Sequence, residues 1–459
     1  MSRATSVISE NLAAVLGSGQ ILTNPDQLRG YLIGGKTPQA AIRPGSDQEV
    51  AEIVRFARSE KLTLVPTGAR TKRNMHIPMN EFDAALDMVR IDRVVAYDPA
   101  DLTLSVEPGL RLSRLQGVLA EHGQFLPLGP PFADRATVGG TIASGVDSPL
   151  RQFYGTARDY VLGMEFVTGD GRVVKSGGRV VKNVSGYDLH KLLIGSFGSL
   201  GVITKVNFRT FPVVTSMRAF IALFDSAQDA VEMRHRIAQS PLRPLTLEIL
   251  SPYAGELCLG DLARDAMDAK LPGGLSQGHW TLLVCFAGTG RVLERYERDI
   301  PLLARPGQAA LLEEKTASVA LARVQEFLPI ALESSPGAVI LRISVLPSEI
   351  ARALDDGALA ATREEIPWAA MARGVGVIYF ALLPTALGGR SRVDRAVDTL
   401  FEAFPSGRES VTIAWRADPG GESLPLRKTS RNDLEQMRKI KHAFDPSRVF
   451  APDPLAAWI

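Results

Sequence analysis

Hydrophobic positions along this chain recur with two periods, and the switches between them mark its elements. Val7, Ile8, Leu12, Val15 and Leu16 fall at helical spacing, and Gly17 suits a helix end. From 39 to 66 the pattern reads strand, helix, strand. Ala41 to Pro44 is short and extended, Ser46-Asp47 opens a helix carrying Val50, Ile53, Val54 and Phe56, and Leu62 to Val65 is a buried strand. Residues 101–109 alternate Leu102, Leu104 and Val106 as a strand. A helix from about 112 to 121 then puts Leu115, Val118 and Leu119 on one face. Segments 161–168 and 172–175 flank Gly169-Asp170-Gly171, which is hairpin chemistry. Residues 202–213 alternate again, as a strand.

Beyond Pro212 strands and helices take turns. Strands are expected at 219–224, 245–249, 280–286, 339–345, 376–383 and 411–415, and helices at 227–237, 292–303, 347–359 and 393–404. This predicts an antiparallel sheet with helices on one face, an α+β domain. The stretch 252–277 has weak periodicity and reads as a loop or a short-helix insertion. Residues 433–444 read as a helix carrying Leu434, Met437 and Ile440. The tail after it, Asp445 to Pro452, is placed to pack back on the first domain. The expected division is 1–215, 216–430 and 431–459.

Length supports this, because 459 residues exceed what one core sustains. A net charge of +2 gives no electrostatic footprint for nucleic acid. Cys258 and Cys285 are the two cysteines, too few for a Cys-ligated iron–sulfur cluster, and they read as buried free thiols. The N-terminal stretch lacks an apolar run of signal-peptide length, and no stretch is long enough to span a membrane, so the expected location is the cytoplasm.

Glycine changes the picture most. Between Pro127 and Pro212, Gly139-Gly140 with Gly145, Gly177-Gly178, and Gly195, Gly198 and Gly201 crowd three places on strand-rich text. Glycine serves where backbone must approach something closely or take positive φ. Upstream, the strand at 62–65 runs into Pro66-Thr67-Gly68-Ala69-Arg70-Thr71-Lys72, a phosphate-cradle arrangement without the Walker spacing. An extended dinucleotide is the ligand that best fits several such loops.

The loop at 66–72, the strand ending Val106-Glu107-Pro108-Gly109, the run Ala136 to Ala143 and the run Gly195 to Ile203 fall in an order that resembles the FAD-binding fold of the vanillyl-alcohol oxidase/PCMH superfamily. The tail Lys441, Asp445-Pro446, Phe450 and Pro452 looks like that family's closing, FAD-contacting segment. Within the superfamily, Ser148 to Arg151, Arg158 to Gly163 and Val181 to Leu189 look most like the FAD-binding E subunit of bacterial glycolate oxidase. The resemblance implies a two-subdomain FAD-binding domain, an α+β cap and a tail returning to the first domain. It also implies FAD, a small organic acid substrate or a partner flavin, iron–sulfur partner subunits, and peripheral attachment to a membrane through those partners.

Residue by residue, it implies that Pro66, Thr67, Gly68, Ala69, Thr71 and Lys72 meet the pyrophosphate from one side. Thr137, Gly139, Gly140, Thr141 and Ser144 meet the cofactor from the other, together with Pro130. Gly201, Val202 and Ile203 match the family position whose backbone meets the adenine. Arg70 departs from the pattern. It fills the second glycine's slot, either as a charged donor to the pyrophosphate or as a crowding group. It also stands where covalently flavinylated members carry histidine, which implies noncovalent FAD. Ala451 replaces a common asparagine.

Hydroxy-acid dehydrogenases of the superfamily carry a histidine-bearing metal motif late in the cap, and here Arg373 to Tyr379 stands at the nearest place without histidine. His76, His122, His190, His235, His279 and His442 show no ligand spacing, so no metal is expected and each reads as a surface or structural residue, with His76 the one near the phosphate loop. The catalytic candidates are Lys182, Asn183 and Tyr187, beside Asp188, because lysine and tyrosine exchange protons when their pKa values are shifted. The same tyrosine and aspartate also suit the capping of a following helix, and Arg158 and Asp159 an internal ion pair. Trp280, Trp368 and Trp415 read as core. Three functions stay open: an FAD subunit of a larger dehydrogenase, a stand-alone FAD dehydrogenase of another substrate, and a non-catalytic scaffold on the same fold.

Overall fold

The computed structural model describes residues 8, 12, 16, 18–73, 75, 81–179, 186–214, 216–267, 278–304, 308–385, 390–404, 410–417 and 431–450. Two small sheets come first. Ile21–Leu22, Ala40–Ile42, Ala84–Asp87 and Leu64–Thr67 lie side by side in that order, and the last three are mutually parallel. The helix Asp47–Glu60 makes the crossover between two of them; Ser46 accepts the Glu49 N–H as its N-cap, and Val50, Ile53, Val54 and Ala57 are buried. Parallel neighbours need such a crossover.

The second sheet is antiparallel, in the order Val94–Asp98, Thr103–Val106, Val202–Arg209, Val161–Val167, Val173–Gly177. The hairpin expected around Gly169-Asp170-Gly171 is its outer edge, with Gly171 at φ 77°. The short helix Val138–Ser144 lies over this sheet and ends at Gly145 in the left-handed region, where a side chain would strike Gly195 Cα at 2.9 Å.

The cap is one eight-stranded antiparallel sheet, in the order Gln308–Leu312, Met217–Phe224, Trp280–Ala287, Thr246–Leu250, Trp368–Arg373, Val377–Leu382, Val339–Ser344, Ser410–Arg416. The α+β reading holds, but the expectation of helices on one face does not. Both faces are buried: Phe220, Ala222 and Phe224 join one hydrophobic cluster, and Ala219, Ile221 and Leu223 the other. Helices Ala227–Gln239, Gly290–Leu303 and Ile350–Arg363 cover the first face. The second is covered by Pro252–Met267, Glu314–Gln325 and Phe327–Ser334. The first of these occupies most of the stretch read as loop or insertion. The other two gave no separate signal, because Ala- and Leu-rich text between strands carries little periodicity.

The tail returns to the first sheet. After the helix Arg431–Phe444, Leu64 N–H donates to Val449 O at 2.7 Å, and Phe450 pairs with Leu64 in parallel. The buried Lys441 ammonium fixes the turn, donating to Ser199 O (2.8 Å), Asp445 Oδ2 (2.7 Å) and Phe450 O (2.9 Å). Asp445 in turn accepts the N–H groups of Val449 and Phe450. The remaining side-chain expectations fall out here. Both cysteines are buried free thiols, and burial pushes each thiol up to about 12. Trp280 and Trp415 are core, and the half-buried Trp368 packs against it, stacking on Phe380 at 5.2 Å. Arg158 and Asp159 do not pair: Arg158 donates to Lys191 O, while Asp159 accepts from Thr156 in a capping box.

Candidate functional site: a cofactor cleft between two sheets

A cleft of about 920 Å³, counting its open mouth, runs between the two small sheets. The strand Leu64–Thr67 delivers one wall, since its last residues run directly into the glycine loop. Pro66, Thr67, Gly68, Ala69, Thr71 and Lys72 all line it, with Arg70 and Arg73. Thr137, Gly139, Gly140 and Ser144 form the opposite wall, and Gly201, Val202 and Ile203 close one end. Pro130 and Thr141 are buried behind this surface and do not line it.

Three observations fit an extended dinucleotide. Close approach is one: a Cβ on Gly68 would sit 2.2 Å from Thr137 Oγ1, and one on Gly139 would sit 2.5 Å from Pro108 Cβ, so only glycine lets the loops pack this tightly around the cleft. Charge is another: the lining holds Arg70, Lys72 and Arg73 and no Asp or Glu. The third is an unmet hydrogen bond. Among the described residues Thr137 Oγ1, buried at the cleft wall, has no partner, nor has Thr141 Oγ1 behind it, and a buried hydroxyl without a partner is costly.

Arg70 keeps the glycine's backbone, with φ at 58°. Its guanidinium turns onto Asp87, Nη1 to Oδ2 at 3.2 Å, and its Cζ lies 4.2 Å from the centre of the Tyr31 ring. Tyr31 donates to the same carboxylate at 2.5 Å, and Arg43 donates to Tyr31. A buried carboxylate thus holds one nitrogen of this arginine, which still lines the cleft.

Lys72 is different. Nζ donates to Thr71 Oγ1 (3.1 Å) and Pro131 O (3.3 Å), and among the described residues it has no ion pair. Burial pulls its pKa down to about 7, with Glu326 acting the other way.

A polar group that the sequence did not announce lies where the cap meets the FAD-binding region. Asp147 accepts from Arg373 Nε (3.0 Å), Tyr379 OH (2.9 Å) and Arg151 Nη1 (2.8 Å), and Arg373 Nη1 donates to Glu248 Oε2 (3.1 Å). Burial opposes ionisation of Asp147, but Arg373, Arg342 and Arg151 outweigh it and hold the carboxyl down to about 2. Burial pushes Glu248 up to about 7 against the pull of Arg373, and its Oε1 has no partner among the described residues. Arg373 and Tyr379 were singled out only for lacking histidine. Their partner Asp147 stands 226 and 232 positions away, which no local pattern reveals. Among the described residues no group of three His, Cys, Asp or Glu side chains could hold a metal.

Of the catalytic candidates, Lys182 and Asn183 lie outside the described residues, as do His76 and Ala451. The structure does not bring Tyr187 to the cleft. Tyr187 is 91% exposed. Asp188 pairs with Lys191 at the start of the next short helix. His190 is structural, buried with Nδ1 3.1 Å from Ser176 Oγ. The described tail residues do not line the cleft; they brace the strand that does.

Known proteins agree with this geometry. Residues 38–177 match the FAD binding domain family, and residues 215–379 match the C-terminal domain of FAD linked oxidases. Glycolate oxidase subunit GlcD of Bacillus subtilis is 25% identical over 92% of this chain and 89% of its own length. Glycolate oxidase subunit GlcE of Escherichia coli is 36% identical over 50% of this chain, and the match spans 61% of that protein. A mitochondrial D-lactate dehydrogenase (cytochrome) of Arabidopsis thaliana is 32% identical over 46% of this chain and 37% of its own length. The fold is shared with p-cresol methylhydroxylase with substrate bound, at TM-score 0.77 and 17% identity over 99% of this chain and 97% of that one. A 4-ethylphenol oxidase from Gulosibacter chungangensis superposes with TM-score 0.76, at 18% identity over 100% of this chain and 98% of that one. The chain is an FAD-dependent oxidoreductase and belongs to the FAD-linked oxidases with a PCMH-type FAD-binding domain. Its relatives are named as glycolate oxidase subunits and D-lactate dehydrogenases.

Proposed function

We propose that the cleft binds FAD noncovalently and that the protein oxidises a 2-hydroxy acid as one subunit of a larger dehydrogenase. The observation that carries this is the cleft wall at Thr137: a buried hydroxyl without a partner, facing a glycine loop that a single methyl group would close. Bound there, FAD would supply the two-electron chemistry, and the protein supplies binding and electrostatics. Thr137 would hydrogen-bond the cofactor. Lys72 and Arg73 would face its pyrophosphate charge, and Gly68, Gly139 and Gly140 would give it clearance. Arg70 supports noncovalent attachment, because the residue at that position is a guanidinium already held by Asp87.

On the substrate side, the cap presents Arg342, Tyr379 and Arg373 on adjacent strands beside Asp147. Among the described residues Arg342 donates to Ser344 Oγ and has no ion pair, which suits it to a substrate carboxylate. Asp147 already accepts three donors and orders this face rather than exchanging protons. Lys182 and Asn183 stay in the proposed catalytic set on sequence alone. The subunit role is supported by the two glycolate oxidase subunits among the relatives. Iron–sulfur partners follow from that reading.

The test begins with the visible spectrum before and after acid precipitation. FAD in the supernatant supports noncovalent binding, and a yellow pellet refutes it. Anaerobic mixing with glycolate, D-lactate and D-2-hydroxyglutarate then asks which bleaches the flavin. Robust steady-state turnover by the isolated chain with an artificial acceptor would favour a stand-alone dehydrogenase over the subunit role.

A further inference from the structure

The cleft residue Lys72 and the cap residue Glu326 are tied to the same three-residue stretch. Lys72 Nζ donates to Pro131 O at 3.3 Å. The next two residues give their N–H groups to one carboxylate of the cap: Phe132 N to Glu326 Oε2 at 2.8 Å, and Ala133 N to Glu326 Oε1 at 3.2 Å. Phe132 sits at φ 59°, a conformation that strains a non-glycine residue and persists only where surroundings impose it. Its own carbonyl is occupied too, accepting from Arg135 and Ala136. Five residues after Phe132, the same segment becomes Thr137 at the opposite cleft wall. The neighbour of Glu326 adds a second seat, since a Cβ on Gly129 would lie 2.5 Å from Gln325 Oε1.

The bidentate carboxylate fixes the 131–133 turn from the cap side, and Lys72 grips it from the cleft side. Lysine has three N–H donors and two are used here, which leaves one for a ligand in the cleft. A half-buried ammonium with no ion pair among the described residues is itself unfavourable until an anion meets it. We propose that Glu326 is a positioning residue for the cofactor: by clamping residues 132 and 133 it sets Lys72 and Thr137, so that docking of the cap determines how tightly the cleft holds FAD. This rests on the reading of the cleft as the FAD site. Activity alone would not separate it from a substrate effect, so affinity is the readout.

Flavin fluorescence titration of the apo protein with FAD measures it, for wild type, Glu326→Gln, Lys72→Met, the double variant and Glu333→Gln, an exposed residue on the adjoining helix. Glutamine cannot offer each N–H group its own oxygen, because one of its two terminal atoms is an amide nitrogen, a donor. Glu326→Gln is expected to weaken FAD binding about tenfold, the scale of one buried N–H left unpaired. The double variant should be no weaker than the weaker single, since both act through one turn. Hydrogen exchange at 129–136 should rise in Glu326→Gln and fall on FAD binding in wild type. Glu333→Gln should match wild type.

FAD affinity of Glu326→Gln within twofold of wild type overturns the proposal, as do single-variant losses that multiply. If Glu326→Gln does not fold, the wild-type exchange experiment decides: protection of 129–136 and of 314–334 on adding FAD supports the coupling, and protection confined to the cleft loop at 66–72 overturns it. Wild-type protein that binds no FAD overturns the functional reading and the coupling together, whereas wild-type binding with an unaltered Glu326→Gln overturns the coupling alone.

Discussion

The Arg70 guanidinium lies 3.2 Å from the Asp87 carboxylate, with its carbon 4.2 Å from the centre of the Tyr31 ring. Asp87 is fully buried and also serves Tyr31 and Arg43. It is thus the hub of the cleft's outer wall, and Asp87→Ala strands three polar partners. The expected loss is about 3 kcal/mol of stability, read as a lower Tm of the apo protein. Arg70→Gly, by contrast, removes the cost of a left-handed arginine and should still bind FAD. Loss of FAD binding in that variant would show that the guanidinium itself holds the cofactor.

The unpartnered Thr137 hydroxyl makes an asymmetric prediction. Thr137→Val removes no hydrogen bond from the apo protein, so its Tm should change little. FAD affinity should fall by about five- to tenfold, the scale of one hydrogen bond. Gly68→Ala should abolish binding outright, because the new methyl group lands on that hydroxyl. Flavin content per protein, from the ratio of visible to ultraviolet absorbance, checks both.

Lys72 sets the pH dependence of cofactor binding. Its pKa in the apo protein is about 7, so it is charged below that pH and neutral above it. An anion bound beside it favours the charged form. FAD affinity should therefore be greatest below about pH 7 and decline as pH rises through and beyond it. Lys72→Met should bind more weakly at low pH and flatten the profile. An unchanged profile in Lys72→Met would assign the titration to another group.

Asp147 and Glu248 act on stability with opposite signs. The folded pKa of Asp147 is depressed, so its contribution is present above its unfolded value near 3.8 and is lost as pH falls toward about 2. That of Glu248 is raised, so the folded state holds a proton which the unfolded chain has released between about 4.5 and 7. Stability from this group falls as pH rises through that window. Denaturant unfolding from pH 4 to 8 should show the decline in wild type and a flatter profile in Glu248→Gln.

The sequence made the cleft legible because its walls are glycine loops at strand ends, and 66–72, 137–140 and 201–203 meet where their order implied. The cap's strands were legible too, since β-branched and aromatic runs between Pro and Gly turns leave few alternatives. Its second layer was not: strands buried on both faces read as continuous apolar runs, which hide how many faces are covered. Of the three catalytic candidates only Tyr187 is described, and its residue type alone did not show that it would stand 91% exposed and away from the cleft. The Asp147–Arg373–Tyr379 group and the Lys72–Glu326 link join residues far apart in the chain, and only the folded topology brings them within reach.

The pairing of Leu64 with Phe450 bears on how the molecule is made. Val449 and Phe450 belong to the same hydrophobic cluster as the strand and helix at 40–64, yet the whole cap is synthesised between them. The cleft-lining strand at 64–67 therefore lacks its last neighbour until residue 450 has left the ribosome. Non-local closure of this kind slows folding. A nascent chain truncated before that point would carry an exposed strand edge and an unfinished cleft, a state prone to association and to flavin-free turnover by proteases.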